Sequence, residues 1–458
     1  MKQEKLFGTD GVRGIANVYP MTVEMAMFVG QAVAAVLKAH ASRQRILIGK
    51  DTRLSGYMLE NALVAGICSM GGDALLVGPI PTPAVAFLTR NMRADAGIVI
   101  SASHNPYEDN GIKIFGADGY KLPDSLEDEL EDYVRYLRDG SINAPRPTAD
   151  SVGRARRIDD ALGRYIVALK YTFPSRLALD GLRLAVDCAH GAAYKVAPAV
   201  LSELGASLTL LGVEPDGVNI NDGVGSLHPQ GLRRVIEEGR AAVGLALDGD
   251  GDRLLMIDEK GEAVDGDHVL AICARHMQAE GILKHNTVVA TVMSNLGLEL
   301  CLNGLGIKLV RTSVGDRNVV EAMQRHGYNL GGEQSGHLIF LDHNTTGDGL
   351  LSALQVLAVM AESGKPLCEL KSILTPIPQM LKSIKVGKRV DLYKHPGLVK
   401  TFKWVEETLG SRGRMLVRYS GTEPLLRIMV ESEDAGITET MVNELVNAAY
   451  RELGKGEQ

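Results

Sequence analysis

The apolar residues of the chain fall into short runs with two alternating spacings. From Thr22 to His40 they recur at helical spacing, whereas the segment Arg45–Gly49, with three consecutive apolar residues after the arginine, is typical of a short buried strand. A helix over 55–70, a strand over 74–77, a helix starting near Pro83 and a strand over 97–100 follow. This β-α-β-α alternation predicts a largely parallel sheet with helices on both faces.

The same alternation returns twice. Strands predicted over 184–187, 208–211 and 243–247 alternate with helices over 195–204 and near 232–239. After a predicted hairpin over 254–264, a third unit runs as far as a helix over 350–360. Three units of about 100 residues with one secondary-structure rhythm indicate a structural repeat.

The periodicity is lost at two places. Residues 139–157 collect Gly, Ser and Pro, which is typical of an interdomain linker. The pattern breaks again around Pro376 and Pro378, and the remaining tail is too short for a fourth such unit. We therefore predict an α/β protein: three similar α/β domains with mixed, largely parallel sheets, followed by a smaller C-terminal α+β domain. The predicted domains are 1–155, 156–254, 255–373 and 374–458.

Composition narrows the class of protein. With 458 residues, 45% hydrophobic and 23% charged, the chain resembles an ordinary globular protein of three or four domains. A net charge of −7 argues against a nucleic-acid partner. Five scattered cysteines favour neither a disulfide framework nor a zinc site. The most apolar stretch, over 350–361, is too short to span a membrane, so we expect a cytoplasmic protein with no membrane partner.

The strongest chemical signal is the sequence Asp-Gly-Asp-Gly-Asp-Arg over 248–253, directly after a predicted strand. Asp248, Asp250 and Asp252 can point to one side if the backbone is extended. Such clustered negative charge favours a bound cation, and oxygen ligands of this kind suit Mg²⁺. An EF-hand loop counted from Asp248 is excluded, because the position that needs glycine is Arg253. The alternative interpretation is a solvated acidic loop.

A second segment, Ser-Ala-Ser-His-Asn-Pro over 101–106, follows the strand predicted over 97–100. Open α/β sheets place ligands at this end of their strands. A serine beside His104 can act as a nucleophile or carry a phosphate, and Lys113 can supply positive charge nearby. Taken alone, the segment is equally well described as a hydroxyl-rich turn.

Two further segments are rich in groups that bind oxyanions or sugar hydroxyls. The sequence Arg-Tyr-Ser-Gly-Thr-Glu-Pro over 418–424, with Arg427 following, combines two guanidinium groups with hydroxyls and a glycine, as in a phosphate site. Gly-Glu-Gln-Ser-Gly-His over 332–337 offers a carboxylate, a hydroxyl and an imidazole, which suits recognition of a sugar hydroxyl or amine. A tight turn between strands is the alternative for this second segment.

Two nucleotide-binding motifs are missing from the sequence. Gly364-Lys365 is followed by Pro366 and lacks the first glycine of a phosphate-binding P-loop. No Gly-x-Gly-x-x-Gly opens a helix after the first predicted strand either. The sequence therefore favours neither an ATP-consuming P-loop enzyme nor a nicotinamide-dependent one.

These motifs together carry a family resemblance. The four segments above, preceded by Thr-Asp-Gly-Val-Arg-Gly over 9–14, resemble in order and across the whole chain the α-D-phosphohexomutase superfamily. The resemblance implies four domains around a central cleft, which agrees with the repeat. It also implies that the domains carry, in chain order, a phosphoserine, a metal ion, sugar-binding groups and a phosphate-binding site.

The resemblance assigns a role to individual residues. It implies that Ser103, not its neighbour Ser101, is the phosphoserine, and that its phosphate completes a Mg²⁺ site. The implied metal ligands are Ser103, Asp248, Asp250 and Asp252. The implied groups around the transferring phosphoryl group are Arg13, His104, Lys113 and Arg253. The implied sugar contacts are Glu333, Ser335 and His337, and the contacts to the second phosphate are Arg418, Ser420, Gly421, Thr422 and Arg427.

The implied reaction interconverts the 6-phosphate and 1-phosphate of a hexose through a 1,6-bisphosphate, which also serves as activator. The Gln after Glu333 and the Tyr-Ser-Gly-Thr segment resemble the glucosamine branch. The resemblance leaves open a phosphomannomutase or phosphoglucomutase specificity. It also leaves open whether the protein is a monomer or a homodimer. Rivals from other classes are an aspartyl-phosphate phosphatase with Asp248 as nucleophile, and a sugar-phosphate binding protein without activity.

Overall fold

The computed structural model describes residues 5–8, 10–37, 43–142, 146–387, 389–420 and 425–455. By packing, the chain divides into two compact units. One consists of Met1–Thr291 and Val310–Ser372, and the other of Val292–Leu309 and Ile373–Gln458. Gly421 and Thr422 of the predicted phosphate site, and the predicted helix residues 38–40, lie outside the described residues.

A mixed sheet of six strands forms the first α/β layer. Its strands are β1 (Val12–Ile15), β2 (Arg45–Lys50), β3 (Asp73–Pro79), β4 (Ala96–Ile100), β5 (Asp109–Gly116) and β6 (Ala155–Arg157), in the order β1-β5-β4-β2-β3-β6. Strands β6, β3, β2 and β4 run parallel, and β5 is antiparallel to β4 and β1. Its helices are α1 (Val23–Val36), α2 (Ser55–Ser69), α3 (Thr82–Asn91) and α4 (Asp124–Arg138).

Local signals explain these elements. The apolar runs of β2 and β4 are buried on both faces, as expected for central strands covered by helices. Helix α1 begins after Thr22, whose hydroxyl accepts a hydrogen bond from the backbone N–H of Met25 at 3.4 Å.

The predicted linker is wrong over Ala155–Arg157, because these residues pair with β3. Three exposed residues at a sheet edge leave no alternation of apolar and polar positions to detect.

The second α/β layer is a five-stranded sheet. Its strands are β7 (Arg183–Asp187), β8 (Ser207–Leu211), β9 (Val243–Leu247), β10 (Leu254–Ile257) and β11 (Ala263–Val264), in the order β11-β10-β9-β7-β8. Its helices are α5 (Ala161–Tyr171), α6 (Val196–Glu203) and α7 (Gln230–Glu237). The predicted hairpin is present as β10 and β11, and β10 pairs with β9 of this sheet.

The third layer has four strands: β12 (Thr287–Thr291), β13 (Lys308–Thr312), β14 (Leu330–Gly332) and β15 (Leu338–Phe340), in the order β13-β12-β14-β15. Helices of this part of the chain are α8 (Gly266–Ala279), α9 (Leu296–Gly304), α10 (Asp316–His326), α11 (Gly349–Ser363) and α12 (Leu367–Lys371). The short 3₁₀ helices of the described residues are Ala149–Ser151, Lys284–Asn286, Leu392–Lys394 and Gly410–Arg412.

The C-terminal part is a separate α+β fold. Its strands β16 (Gln379–Lys385), β17 (Gly413–Tyr419) and β18 (Leu425–Ser432) pair antiparallel in the order β16-β18-β17. Helices α13 (Pro396–Leu409) and α14 (Ala435–Leu453) accompany them. Apolar side chains of both helices and all three strands form one core. The fold class predicted from the sequence is thus confirmed, while the exact domain boundaries stay predictions.

Candidate active site

The three aspartates of the acidic loop lie in the turn between β9 and β10. The sequence predicted an extended backbone here, and that prediction is wrong: residues 249–251 turn, with Gly251 at φ +73°, a conformation that favours glycine. Asp248, Asp250 and Asp252 are nevertheless buried together, and one ligand oxygen from each lies within 4.8 Å of the others. The turn brings the carboxylates together by a different backbone path.

Buried carboxylates at this spacing repel one another. Burial and the charges of Asp252 and Asp250 raise the pKa of Asp248 well above its ordinary value. Burial acts in the same direction on Asp252, but His337 and Lys113 outweigh it and lower the pKa of Asp252. Lys113 Nζ lies 2.9 Å from Asp250 and 3.8 Å from Asp252.

The oxygen atoms of this loop fit a hard divalent cation. Asp250 Oδ1 and Asp252 Oδ1 are buried and accept no hydrogen bond from any residue that the structure describes. Buried acceptors are normally paired, and an all-oxygen set of this kind is the usual ligand set of Mg²⁺ and Ca²⁺. Thr82 Oγ1, at the start of α3, donates to Asp250 Oδ2 at 2.7 Å and orients that carboxylate.

Ser103 is brought to this acidic loop from another sheet. It follows β4, is 2% exposed, and donates from Oγ to Asp248 Oδ2 at 2.6 Å. His104 Nδ1 lies 3.2 Å from the same Oγ. Ser103 has a φ of +52°, a left-handed conformation that is strained for a non-glycine residue.

Two of the groups predicted around Ser103, His104 and Arg13, contact Ser103 or its neighbour Ala102. Burial, together with the charges of Arg253 and Arg13, lowers the pKa of His104 to about 4, so the imidazole is neutral at neutral pH. Arg13 Nη1 donates to Ala102 O at 3.4 Å, and Arg13 also pairs with Asp10.

Arg253 is anchored to the acidic loop by its own backbone. Its N–H donates to Asp248 Oδ1 at 3.1 Å, and its Nε lies 3.9 Å from Asp252 Oδ1. Next to it, the N–H of Leu254 donates to Gly336 O at 3.1 Å. The acidic loop and the predicted sugar-binding segment over 332–337 are therefore held together by main-chain contacts.

The predicted sugar-binding side chains occupy the turn between β14 and β15. Glu333 Oε1 accepts a hydrogen bond from the N–H of Gly315 at 3.1 Å, and Ser335 Oγ donates to Glu333 Oε2 at 3.3 Å. Ser335 is exposed, whereas Glu333 is half-buried. The segment before α10 thus helps to orient Glu333.

His337 is buried between two carboxylates. Its Nδ1 lies 3.5 Å from Asp252 and its Nε2 3.5 Å from Asp316. Burial lowers the pKa of His337, but Asp252 and Asp316 outweigh it and raise that pKa to about 9. The ring thus joins the acidic loop to α10, and its contact with a sugar stays a prediction.

Several residues of this site carry no motif in the sequence. Lys121, whose side chain is 15% exposed, bridges Asp10 Oδ1 at 2.5 Å and Asp316 Oδ2 at 2.7 Å. Thr82 contacts Asp250, as described above. Each acts through partners that are far away in the sequence, so no local spacing indicates its role. A cation shielded from solvent would be the signal, and solvent exposure is not visible in the sequence.

The C-terminal unit contains the two guanidinium groups of the predicted phosphate site. Arg418 on β17 lies directly opposite Arg427 on β18. Burial and the charge of Arg427 lower the pKa of Arg418, and like charges opposite each other destabilise a strand pair. Ser420 is buried, and its N–H donates to Leu425 O at 2.8 Å. The role of these residues in holding a phosphate stays a prediction.

Comparison with known families decides the membership of the chain. It matches the four domain descriptions of the phosphoglucomutase/phosphomannomutase family: α/β/α domain I over residues 4–139, domain II over 163–261, domain III over 265–376 and the C-terminal domain over 381–448. The chain belongs to this family. The repeat of three α/β units and the smaller fourth domain are thereby explained.

Similar proteins share nearly the full length of the chain. Phosphoglucosamine mutase of Syntrophotalea carbinolica is 59% identical over 453 residues, which cover 99% of this chain and 98% of that protein. Phosphoglucosamine mutase of Myxococcus xanthus is 56% identical over 450 residues, with 98% of each chain covered.

Solved structures show the same fold. A phosphoglucomutase/phosphomannomutase family protein from Burkholderia thailandensis superposes with a TM-score of 0.81 at 22% identity, covering 99% of this chain and 98% of that one. N-acetylphosphoglucosamine mutase of Aspergillus fumigatus, solved with GlcNAc-6P and magnesium, gives a TM-score of 0.65 at 16% identity, covering 97% and 96%. Among the described residues, no helix has the length and apolar character needed to cross a membrane.

Proposed function

We propose that this protein is a phosphohexomutase that interconverts glucosamine 6-phosphate and glucosamine 1-phosphate, with Ser103 as the phosphoryl carrier. The observation that carries the proposal is the 2.6 Å hydrogen bond from Ser103 Oγ to Asp248 in a buried loop of three carboxylates. The relatives named phosphoglucosamine mutase, 56% and 59% identical over nearly their whole length, support the glucosamine specificity.

The divalent cation in this proposal is Mg²⁺. Asp248, Asp250 and Asp252 would hold it, with an oxygen of the Ser103 phosphate as a further ligand. When bound, it would stabilise the negative charge of the transferring phosphoryl group. Asp250 Oδ1 and Asp252 Oδ1 support this assignment, because neither accepts a hydrogen bond from a described residue. The magnesium in the Aspergillus fumigatus relative supports it as well.

The transfer itself needs few protein groups, because phosphoryl transfer is catalysed mainly by positioning and by charge stabilisation. In the first half-reaction the bond between phosphorus and Ser103 Oγ breaks and a bond to the sugar O1 forms, as O1 loses its proton. The proton that O1 loses is balanced by the one that Ser103 Oγ gains, and the neutral His104, 3.2 Å from Oγ, can accept it and pass it on. Arg13, Lys113 and Arg253 supply positive charge around the reacting groups.

The second half-reaction uses the same groups with the sugar reversed. The glucosamine 1,6-bisphosphate returns its 6-phosphate to Ser103, and glucosamine 1-phosphate leaves. Glu333, Ser335 and His337 are proposed to contact the sugar. The phosphate that is not reacting is assigned to Arg418, Ser420 and Arg427 together with Gly421 and Thr422. The two positive charges of Arg418 and Arg427, directly opposite each other on β17 and β18, support this anion site.

A hexose 1,6-bisphosphate, of glucosamine or of glucose, would restore protein that has lost its phosphate. A related Aspergillus fumigatus mutase was solved with glucose 1,6-bisphosphate. We propose that the reaction takes place in the cytoplasm, with a phosphosugar as the partner and with a monomer or homodimer as the working form. The product would feed amino-sugar and peptidoglycan precursor synthesis.

Phosphorus NMR tests the specificity. Protein, Mg²⁺ and a trace of glucose 1,6-bisphosphate are mixed with equal amounts of glucosamine 6-phosphate, glucose 6-phosphate and mannose 6-phosphate. We expect the 1-phosphate signal of glucosamine to appear first. If glucose or mannose leads, the glucosamine specificity is wrong although the mutase mechanism stands. If only inorganic phosphate appears, the protein is a phosphatase and the proposal fails.

A further inference from the structure

A buried guanidinium group holds the loop that carries Ser103. Arg53 lies just before α2, and its side chain is 0% exposed. Its Nη2 donates to Ser103 O and Asn105 O, each at 2.9 Å. Its Nη1 donates to Asp109 O at 3.1 Å and also to Pro106 O. One side chain therefore binds four carbonyl oxygens of the segment 103–109.

Asp51 fixes Arg53 and reaches the same loop from the other side. Asp51 Oδ2 accepts from Arg53 Nε at 2.8 Å and from Ser101 Oγ at 2.6 Å. Ser101 Oγ in turn accepts from the N–H of Ser103 at 2.9 Å. The N–H and the C=O of Ser103 are thus both tied, through different partners, to the Asp51–Arg53 ion pair.

The second α/β layer closes this arrangement. Asn221 Nδ2 donates to Ser103 O at 2.9 Å and to Asn105 O at 3.0 Å. A Cβ placed on Gly249 would lie 2.6 Å from Ser103 O, so only glycine lets the acidic loop approach this closely. The Ser103 carbonyl therefore meets Arg53 on its own domain and Asn221 on the next.

These contacts maintain a conformation that the chain would otherwise leave. A non-glycine residue at a φ of +52° costs on the order of 1–3 kcal/mol and persists only when its surroundings over-determine it. Here the conformation aims Oγ at Asp248. Four main-chain acceptors on one planar fork suit arginine and exceed what the compact ammonium of a lysine can satisfy.

We propose that Asp51 and Arg53 are positioning residues for the phosphoryl carrier: by holding the backbone of residues 101–109 they keep Ser103 Oγ at the acidic loop in both half-reactions. The inference rests on the proposed role of Ser103. It adds two residues whose side chains are 0% exposed and which act through the main chain of the loop. The Ser101 hydroxyl acts as their relay to the Ser103 N–H.

The test compares Arg53→Lys and Ser101→Ala with the wild type. Protein freed of phosphate is mixed with Mg²⁺ and glucose 1,6-bisphosphate, and phosphorylation of Ser103 is followed by rapid quenching and mass spectrometry. Turnover of glucosamine 6-phosphate gives kcat and KM. We expect Arg53→Lys to slow both phosphorylation and kcat about 100-fold, since misplacement by about 1 Å has this effect, with KM changed less than about threefold. Ser101→Ala is expected to slow both about tenfold.

Leu63→Ala serves as the control for loss of stability alone. Leu63 lies on α2, and its side chain is buried in the apolar core of the first α/β layer. Its thermal midpoint should fall, while kcat per folded molecule stays at the wild-type value. The inference is wrong if Arg53→Lys and Ser101→Ala phosphorylate Ser103 at the wild-type rate, or if their activity falls only in proportion to the unfolded fraction.

The same experiment separates the two levels of the account. Wild-type protein that gains no phosphate on Ser103 contradicts the proposed function itself. Wild-type protein that is phosphorylated, beside variants that are phosphorylated equally fast, contradicts only the positioning role. Should Arg53→Lys fail to fold, Ser101→Ala decides, because it removes one hydroxyl and leaves the Asp51–Arg53 pair in place.

Discussion

Ser103 and Asp248 lie 145 positions apart in the sequence, yet the hydroxyl of one donates to the carboxylate of the other at 2.6 Å. Both follow central strands, β4 in the first sheet and β9 in the second. Because the carboxyl ends of parallel strands collect loops at one edge, two sheets that face each other at this edge can combine a nucleophile with a metal site. The pair joins the loops of two separate sheets at one candidate active site.

The repulsion within the acidic loop gives a prediction in which stability and activity move in opposite directions. Burial and two neighbouring carboxylates raise the pKa of Asp248, so Asp248→Asn should relieve repulsion in the metal-free protein. We expect a higher thermal midpoint without Mg²⁺, no further increase when Mg²⁺ is added, and loss of mutase activity. Differential scanning calorimetry with Mg²⁺ and with EDTA measures both midpoints.

Asp258→Asn is the matched control for that variant. Asp258 is fully buried but accepts hydrogen bonds from the N–H groups of Lys260 and Glu262, each at 2.9 Å. Its substitution should lower the midpoint and leave the response to Mg²⁺ intact. A wild-type midpoint that does not rise with Mg²⁺ would argue against the metal site.

Glu333 is expected to pair with the 2-ammonium group of glucosamine. A hydrogen bond to a charged group contributes about 1.5–3 kcal/mol. Glu333→Gln should therefore raise KM for glucosamine 6-phosphate more than KM for glucose 6-phosphate, which has a hydroxyl at this position. Steady-state kinetics on both sugars with one preparation gives the comparison, and equal losses on both would contradict the pairing.

Arg418 and Arg427 lie directly opposite each other in the C-terminal unit, and we expect this pair to favour phosphate binding while lowering stability. Arg418→Met should raise KM for the sugar phosphate more than tenfold, because one charge-assisted contact to phosphate is lost. It should leave the thermal midpoint unchanged or raise it, because repulsion from Arg427 disappears. Lys385→Met, an exposed cation on β16 of the same sheet, is the control and should change neither quantity. An unchanged KM in Arg418→Met would remove Arg418 from the phosphate site.

The partly buried ion pairs of Lys121 with Asp10 and Asp316 predict an effect on stability. Lys121→Met leaves Asp10 and Asp316 facing each other without the cation between them. We expect a loss of about 2 kcal/mol, between the values usual for an exposed and for a fully buried ion pair. Chemical denaturation measures it.

Lys284→Met tests whether burial is the reason. Lys284 pairs with Asp342 at 2.5 Å, but both side chains are exposed, by 54% and 42%. An exposed pair contributes about 0–1 kcal/mol, so this variant should lose little. Similar losses in the two variants would contradict the explanation.

The sequence predicts those parts of the site that are local. Four segments are each a few consecutive residues at the end of a strand: the acidic loop, the Ser103 segment and the two glycine-flanked segments. Their chemistry can therefore be inferred from the amino-acid sequence. The fold class follows from repeated alternation of apolar runs. The turn at Gly251 was missed, because Asp-Gly-Asp-Gly-Asp reads equally well as extended backbone or as a turn.

Contacts between distant segments were not predictable in the same way. Arg53 and Asn221 bind the same carbonyl of Ser103 from opposite sides, but neither belongs to a chemical motif of that loop. His337 was expected to face a sugar, and its closest charged partners are Asp252 and Asp316. Such pairings depend on how the sheets stack, which periodicity within one segment does not report.

A single-turnover labelling experiment tests most directly whether Ser103 carries the phosphoryl group from one sugar to the next. Protein labelled with radioactive phosphate from a hexose 1,6-bisphosphate is freed of small molecules and mixed with unlabelled glucosamine 6-phosphate in a single turnover. We predict that the label moves from Ser103 to the sugar, and that Ser103→Ala takes up no label. Label released mainly as inorganic phosphate, or label retained by Ser103→Ala on Asp248, would contradict the account.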